Sequence, residues 1–148
     1  MANQYRIIIA GGRDFNDYDY LRSCCLPIVD HLACKHELII MSGHAKGADL
    51  LGEQFANEQG LTLEVYPANW KSHWRSAGFK RNELMGDIAN GLIAFWDGRS
   101  HGTKHMIEYA KNKGLNVYVF HYNNKDGGKD STRGIRFAFY KGNREEHT

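Results

Sequence analysis

Arg6-Ile7-Ile8-Ile9-Ala10, followed at once by Gly11-Gly12-Arg13-Asp14, is the stretch that decides the fold. Three consecutive isoleucines have no polar alternation, so a strand built from them is covered on both faces. The glycine pair then turns the chain. The same grammar recurs downstream, with short apolar runs at Leu38 to Met41, Leu61 to Tyr66, Leu92 to Trp96 and Asn116 to Phe120. Between them lie segments with helical spacing: Leu21, Cys25, Ile28 and Leu32; Ala48, Leu51 and Phe55; Met106 and Ala110. Strand and helix in alternation predict right-handed crossovers and a doubly wound, mostly parallel α/β sheet of about five strands. Ile135 to Tyr140 reads as one further edge strand, antiparallel to Val117 to Tyr122. Pro27 is expected to kink or split the first helix. Gly60 and Gly114 are expected to stop helices. Gly142 to Thr148 read as a frayed end.

Composition narrows the classes. The chain has 148 residues, 42% hydrophobic and 24% charged, with a net charge of +2. This is one globular domain, over residues 1–148, with neither a coiled-coil nor a disordered composition. No apolar run approaches the roughly 20 residues of a membrane span, and Ile7 to Ala10 is too short for a signal-peptide core. A near-neutral charge makes nucleic acid an unfavoured partner. Three cysteines without CxxC spacing indicate neither a disulfide scaffold nor a zinc ribbon, and point to a reducing, cytoplasmic compartment.

In parallel α/β sheets ligands bind beyond the carboxyl ends of the strands. Those ends carry Gly11-Gly12-Arg13-Asp14, Ser42-Gly43-His44-Ala45-Lys46-Gly47-Ala48-Asp49, and Asp97-Gly98-Arg99-Ser100-His101-Gly102-Thr103. Glycines and hydroxyls there let backbone N–H groups meet an anion at helix starts. Any one such loop reads better as a plain turn; three on one sheet edge reverse that and make a site. Neither GxGxxG nor GxxxxGK[ST] is present, so no dinucleotide or P-loop cofactor is expected. The long connection Pro67 to Phe79 holds Trp70, Lys71, His73, Trp74 and Arg75, with Lys80, Arg81 and Asn82 opening the next helix. Cations and flat rings suit a phosphate joined to a base, although tryptophans in such a loop also serve as packing. His101 and His105 have metal-pair spacing, but His101 is expected outside the helix and no third ligand is evident, so no metal is expected. Asp49 reads as a cap or backbone anchor, and Asp97-Gly98 as a turn.

As an ordered set these segments resemble the SLOG superfamily, the Rossmann-like group that includes DprA and the LOG cytokinin-activating enzymes, and within it the small YspA-like proteins. The match runs over about residues 5–122 through Ile9 to Phe15, Ser42 to Asp49, Pro67 to Trp70, Ala77 to Asn82 with Met85, and Phe95 to Thr103. The resemblance implies a nucleotide-derived ligand, such as an ADP-ribose-like or cyclic nucleotide signal. The protein would sense or sequester it, as in prokaryotic and phage conflict systems, and would form a homo-oligomer. On this reading Gly11, Gly12, Arg13, Ser42, Gly43, Lys46, Gly47, Gly102 and Thr103 hold phosphate or ribose, with Asp49 and Asp97 beside them. Trp70 and Trp74 stack on a ring, and Arg75, Lys80, Arg81 and Asn82 neutralise and orient. Two alternatives are a nucleoside monophosphate N-glycosidase and a single-stranded nucleic-acid binder. The hydrolase motif of the LOG branch, PGGxGTxxE, is matched here only at Gly102-Thr103. Its Glu position is Met106, leaving Asp97 and Arg81 as weak catalytic candidates.

Overall fold

A computed structural model describes residues 3–73, 76–123 and 136–144. The five parallel strands are β1 (Asn3–Gly11), β2 (His36–Ser42), β3 (Thr62–Val65), β4 (Gly91–Trp96) and β5 (Asn116–His121), and β6 (Phe137–Tyr140) completes the sheet. The strand order is β3-β2-β1-β4-β5-β6. β6 lies antiparallel to β5, with Phe137 opposite Phe120 and Tyr140 opposite Val117. The expected edge strand is therefore present, and its Ile135 end lies outside the described residues. The helices are α1 (Tyr18–Ala33), α2 (Ala48–Glu58), the short α3 (Trp70–His73), α4 (Ala77–Ile88) and α5 (His101–Asn112).

The isoleucine run explains the layering. Ile7 and Ile9 point into one core with Leu21, Cys25 and Phe55, while Ile8 and Ala10 point into the other with Met85, Met106 and Ala110. Each core closes one face of the sheet, as continuous apolarity requires. Burying an isoleucine fully is worth about 1.5–3 kcal/mol, so Ile7, Ile8 and Ile9, all 0% exposed, anchor β1 on both faces.

Several local expectations are revised. Pro27 lies inside an unbroken 16-residue α1. The proline is on the exposed side, where water can satisfy the carbonyl that its missing N–H leaves free. Val29 rather than Ile28 completes the buried stripe of that helix. The long connection after β3 is not structureless: it contains α3, and α4 already begins at Ala77, so Arg81 and Asn82 sit one turn inside that helix. His101 opens α5 rather than preceding it. Gly60 and Gly114 do end helical segments, at φ 67° and 79°. Among the described residues, no helix is long and apolar enough to cross a membrane.

The chain end is tied down as far as residue 144. Gly142 N–H donates to Asn116 Oδ1 at 2.8 Å, and the N–H groups of Asn143 and Arg144 donate to Gly114 O. The Arg144 guanidinium then donates to Gly86 O at 2.8 Å, Asp87 O at 3.2 Å and Ala89 O at 2.6 Å. These are carbonyls that the end of α4 leaves without helical partners. The expected fraying therefore does not hold for Gly142 to Arg144, and residues 145–148 lie outside the described residues. Arg144→Ala should lower unfolding free energy by roughly 1.5–3 kcal/mol, the worth of charged hydrogen bonds, measured by urea denaturation. An unchanged midpoint would mean that the contact contributes nothing.

Candidate functional site

The direction of winding reverses between β1 and β4, and such a switch point opens a crevice at the carboxyl ends of the two strands. Here the crevice is a cleft of about 430 Å³. Ala10, Gly11, Gly12, Arg13 and Asp14 form one wall; Asp97, Ser100, Gly102, Thr103 and Met106 form another. Ala45 and Asp49 come from the β2–α2 connection, and Gly78, Phe79, Arg81 and Asn82 from α4, with Trp70 at the rim. A neighbouring cavity of about 480 Å³ is lined by Gly43, His44, Lys46, Pro67 and Ala68, and it shares Arg13, Ala45, Trp70 and Arg81 with the first.

Asp49 organises the floor. Its side chain is on the second residue of α2 and only 5% exposed. Ala45 N–H donates to its Oδ2 at 3.2 Å. Gly11 backbone hydrogen bonding and the Arg81 charge also favour its ionised form. Burial outweighs these and pushes its pKa up to about 6. Arg81 donates through Nη1 to Gly43 O and through Nε to Asn82 Oδ1 at 2.9 Å. A Cβ on Gly43 would come 2.6 Å from Arg81 Nη1 and 2.8 Å from Asp49 Oδ2. A side chain there would push the Arg81 guanidinium and the Asp49 carboxylate from these positions. His44 takes a left-handed φ of 63° and Gly47 a φ of 90°, which bends this connection around the carboxylate.

The expected site residues separate into three groups. Gly11, Gly12, Arg13, Asp49, Trp70, Arg81, Asn82, Asp97, Gly102 and Thr103 line the main cleft. Gly43 and Lys46 line the adjoining cavity only. Ser42, Gly47 and Lys80 line neither. Ser42 is fully buried, donating to Glu53 Oε2 at 2.8 Å and accepting from His44 N–H at 3.0 Å. Its hydroxyl braces the connection instead of facing a ligand. Gly47 closes the contact between connections, because a Cβ there would strike Gly12 O and Arg13 O. Lys80 is exposed on α4. Trp74 and Arg75 lie outside the described residues.

Even inside the cleft, some expected donors are already engaged. Gly12 N–H donates to Phe95 O at 3.1 Å, so Gly12 shapes the wall and does not offer that hydrogen to an anion. The Asn82 amide donates to Gly102 O at 3.3 Å and accepts from Arg81, joining α4 to α5. Asp97 Oδ1 accepts the N–H groups of Arg99 and Ser100, both at 2.8 Å, which is the turn role expected of it. Asp14 Oδ1 accepts from Tyr122 Oη at 2.5 Å. What remains for a ligand is the start of α5, whose first N–H groups have no partner within the helix, together with two guanidiniums and the exposed ring of Trp70. That ring is 49% exposed, with Arg13 Cζ 5.8 Å from its centroid. It is not buried as packing.

Phe79, Gly78, Ser100 and Met106 were not assigned to the site from sequence. The available signal was Ser76: a cap there starts the helix at Ala77 and puts Gly78, Arg81 and Asn82 on one face by i, i+3, i+4 spacing. Thr103 and Met106 face the cleft by the same rule. The His101–His105 pair is not assembled into a metal site. His105 stacks on Phe79 with centroids 4.3 Å apart and sits 3.3 Å from Glu83 Oε2. Among the described residues no cluster of three metal-ligating side chains occurs.

Comparison with known proteins agrees with this fold. The family described as YAcAr, the YspA, cpYpsA-related SLOG family, matches residues 5–73. The Gene 61 protein of Mycobacterium phage D29 is 31% identical over 122 residues, which is 78% of this chain and 95% of the relative. Among solved structures, DNA processing protein A (DprA) from Streptococcus pneumoniae superposes with a TM-score of 0.64 at 17% identity, covering 87% of this chain and 54% of that one. This chain therefore spans about half the length of DprA, and the likeness is one of fold.

The raised pKa of Asp49 makes a pH prediction. Unfolded, an aspartate ionises near pH 3.9; folded, Asp49 holds its proton to about pH 6. Between those values the folded state binds the extra proton, so its stabilising contribution is full below pH 4 and is lost as pH rises through 6. The stability difference between wild type and Asp49→Asn should shift against wild type by on the order of 3 kcal/mol from pH 4 to pH 7. Denaturant melts at both pH values measure this, and a pH-independent difference would place the carboxylate in water.

Proposed function

We propose, for a chain that belongs to the YspA, cpYpsA-related SLOG family, that it binds a nucleotide or nucleotide-derived small molecule in the cleft between β1 and β4. The observation that carries this reading is the convergence of three kinds of recognition on one crevice. The first turn of α5 at Gly102 and Thr103, with the guanidiniums of Arg13 and Arg81, supplies positive charge for a phosphate. Asp14, whose Oδ1 accepts from Tyr122, has a second carboxylate oxygen that can accept from a ribose hydroxyl. Half-exposed Trp70 supplies a stacking face at the rim.

Binding without turnover is the form of this function that the floor favours. Cleaving an N-glycosidic bond builds positive charge on the ribose, and a positioned carboxylate is needed to stabilise it and activate water. Met106, 1% exposed, occupies the position where the hydrolase motif places its Glu, and a thioether has no proton to exchange. Glu108 is exposed on the far side of α5. The protein would then act by sensing or sequestering its ligand. The second reading, an N-glycosidase, draws on Asp49, a cleft carboxyl that titrates near pH 6. Asp97 is the weaker candidate because its turn already engages one oxygen.

Calorimetry with AMP on wild type and Trp70→Ala tests the proposal. The variant should bind about 1–3 kcal/mol more weakly with an unchanged melting temperature, and chromatography of the same mixtures should show no free adenine. Equal affinity in the two proteins removes Trp70 from the site. Adenine in stoichiometric excess over protein replaces the binder with the glycosidase.

A further inference from the structure

The two adjoining cavities differ in charge. The main cleft holds three carboxylates, Asp14, Asp49 and Asp97, against the two guanidiniums. The second cavity has Arg13, Arg81 and Lys46 on its walls and, among the described residues, no acidic side chain in its lining. The guanidiniums stand on the shared wall, so positive charge rises along one continuous path from β4 toward Lys46. Each cavity alone falls within the roughly 300–1,000 Å³ of small-molecule sites, which leaves the second one spare if a nucleoside monophosphate fills the first.

We infer that the second cavity is an anion subsite, and that the ligand is a nucleotide extended beyond its first phosphate by a second one. The inference rests on the nucleotide reading above and deepens it. The nucleoside end takes the acidic lobe, where carboxylates accept from hydroxyls and would repel phosphate. The first phosphate lies between the first turn of α5 and the two guanidiniums: the Arg13 fork can pair with two of its oxygens, while Arg81, held through Nη1 and Nε by Gly43 O and Asn82 Oδ1, offers Nη2. The second phosphate reaches Lys46, an exposed point charge on the β2–α2 connection. The backbone there is held from behind: Ser42 bonds His44 N–H at 3.0 Å, and the His44 ring lies 2.7 Å from Glu53 Oε2. The lysine thus projects from a fixed loop, which lowers the cost of ordering it around an anion.

Calorimetry with AMP, ADP and ADP-ribose on wild type and Lys46→Ala distinguishes the outcomes. In wild type, ADP or ADP-ribose should bind roughly ten- to hundredfold more tightly than AMP, the worth of a charge-assisted contact. Whichever of the two is tighter tells whether the second phosphate ends the ligand or bridges to a further sugar. Lys46→Ala should bring the diphosphates down to the affinity of AMP, with circular dichroism showing a folded protein. AMP bound as tightly as both diphosphates overturns the subsite and leaves the nucleotide reading standing. Equal losses for all three in Lys46→Ala also overturn it, because Lys46 would then hold the first phosphate. No binding of any of them by wild type overturns both.

Discussion

A carboxylate almost wholly withdrawn from water must be surrounded by donors, or it costs several kcal/mol. Asp49 is in that position, and the arrangement of the cleft follows from it. Its partners come from three separate places: the end of β1 at Gly11, the β2–α2 connection at Ala45, and α4 at Arg81. Of the three, only Ala45 is close to Asp49 in sequence. One buried group therefore sets the distance between β1 and α4, and Gly43 must lack a Cβ so that Arg81 can lie over it. Arg81 then stands on the wall that the two cavities share. An uncompensated charge on either partner would disturb all three walls together.

The sheet supplies the frame on which this clamp works. β1 is central, pairs with both β2 and β4 in parallel, and buries isoleucines into both cores. Parallel strands all deliver their following connections to the same edge. Gly11, Ser42 and Trp96 end their strands there, so three connections meet without any long-range guidance beyond strand order. The rigid part carries the positions of the groups, and the connections carry the chemistry, as is usual where loops sit on a fixed scaffold.

How much of this can be read in the chain depends on range. Ile7-Ile8-Ile9 declares a strand buried on both faces through its own composition, and the glycines after the strands mark the edge where ligands are met. The antiparallel β6 is also legible, from a short aromatic run that follows a polar stretch. What cannot be read is which polar group looks at a ligand and which looks inward. Ser42 and Thr103 are both small hydroxyl residues near strand or helix ends, yet Ser42 turns back to Glu53 and Thr103 faces the cleft. That difference is settled by α2 packing on the sheet, a tertiary fact. The start of α4 was obscured because Trp70 to Ser76 has no apolar period, and the placement of Gly78 and Phe79 was obscured with it. The fate of Pro27 turned on which face of α1 it occupies.

The central claim is that ligand occupies the crevice between the carboxyl ends of β1 and β4. Amide chemical shifts of uniformly labelled protein during titration with a nucleotide test it most directly, since they report every wall at once. The account predicts saturable shifts at Gly11, Arg13, Ala45, Gly102 and Thr103, with β6 and the exposed face of α1 unmoved. Saturable shifts clustered on β6 or α1, with those five amides unmoved, would contradict it.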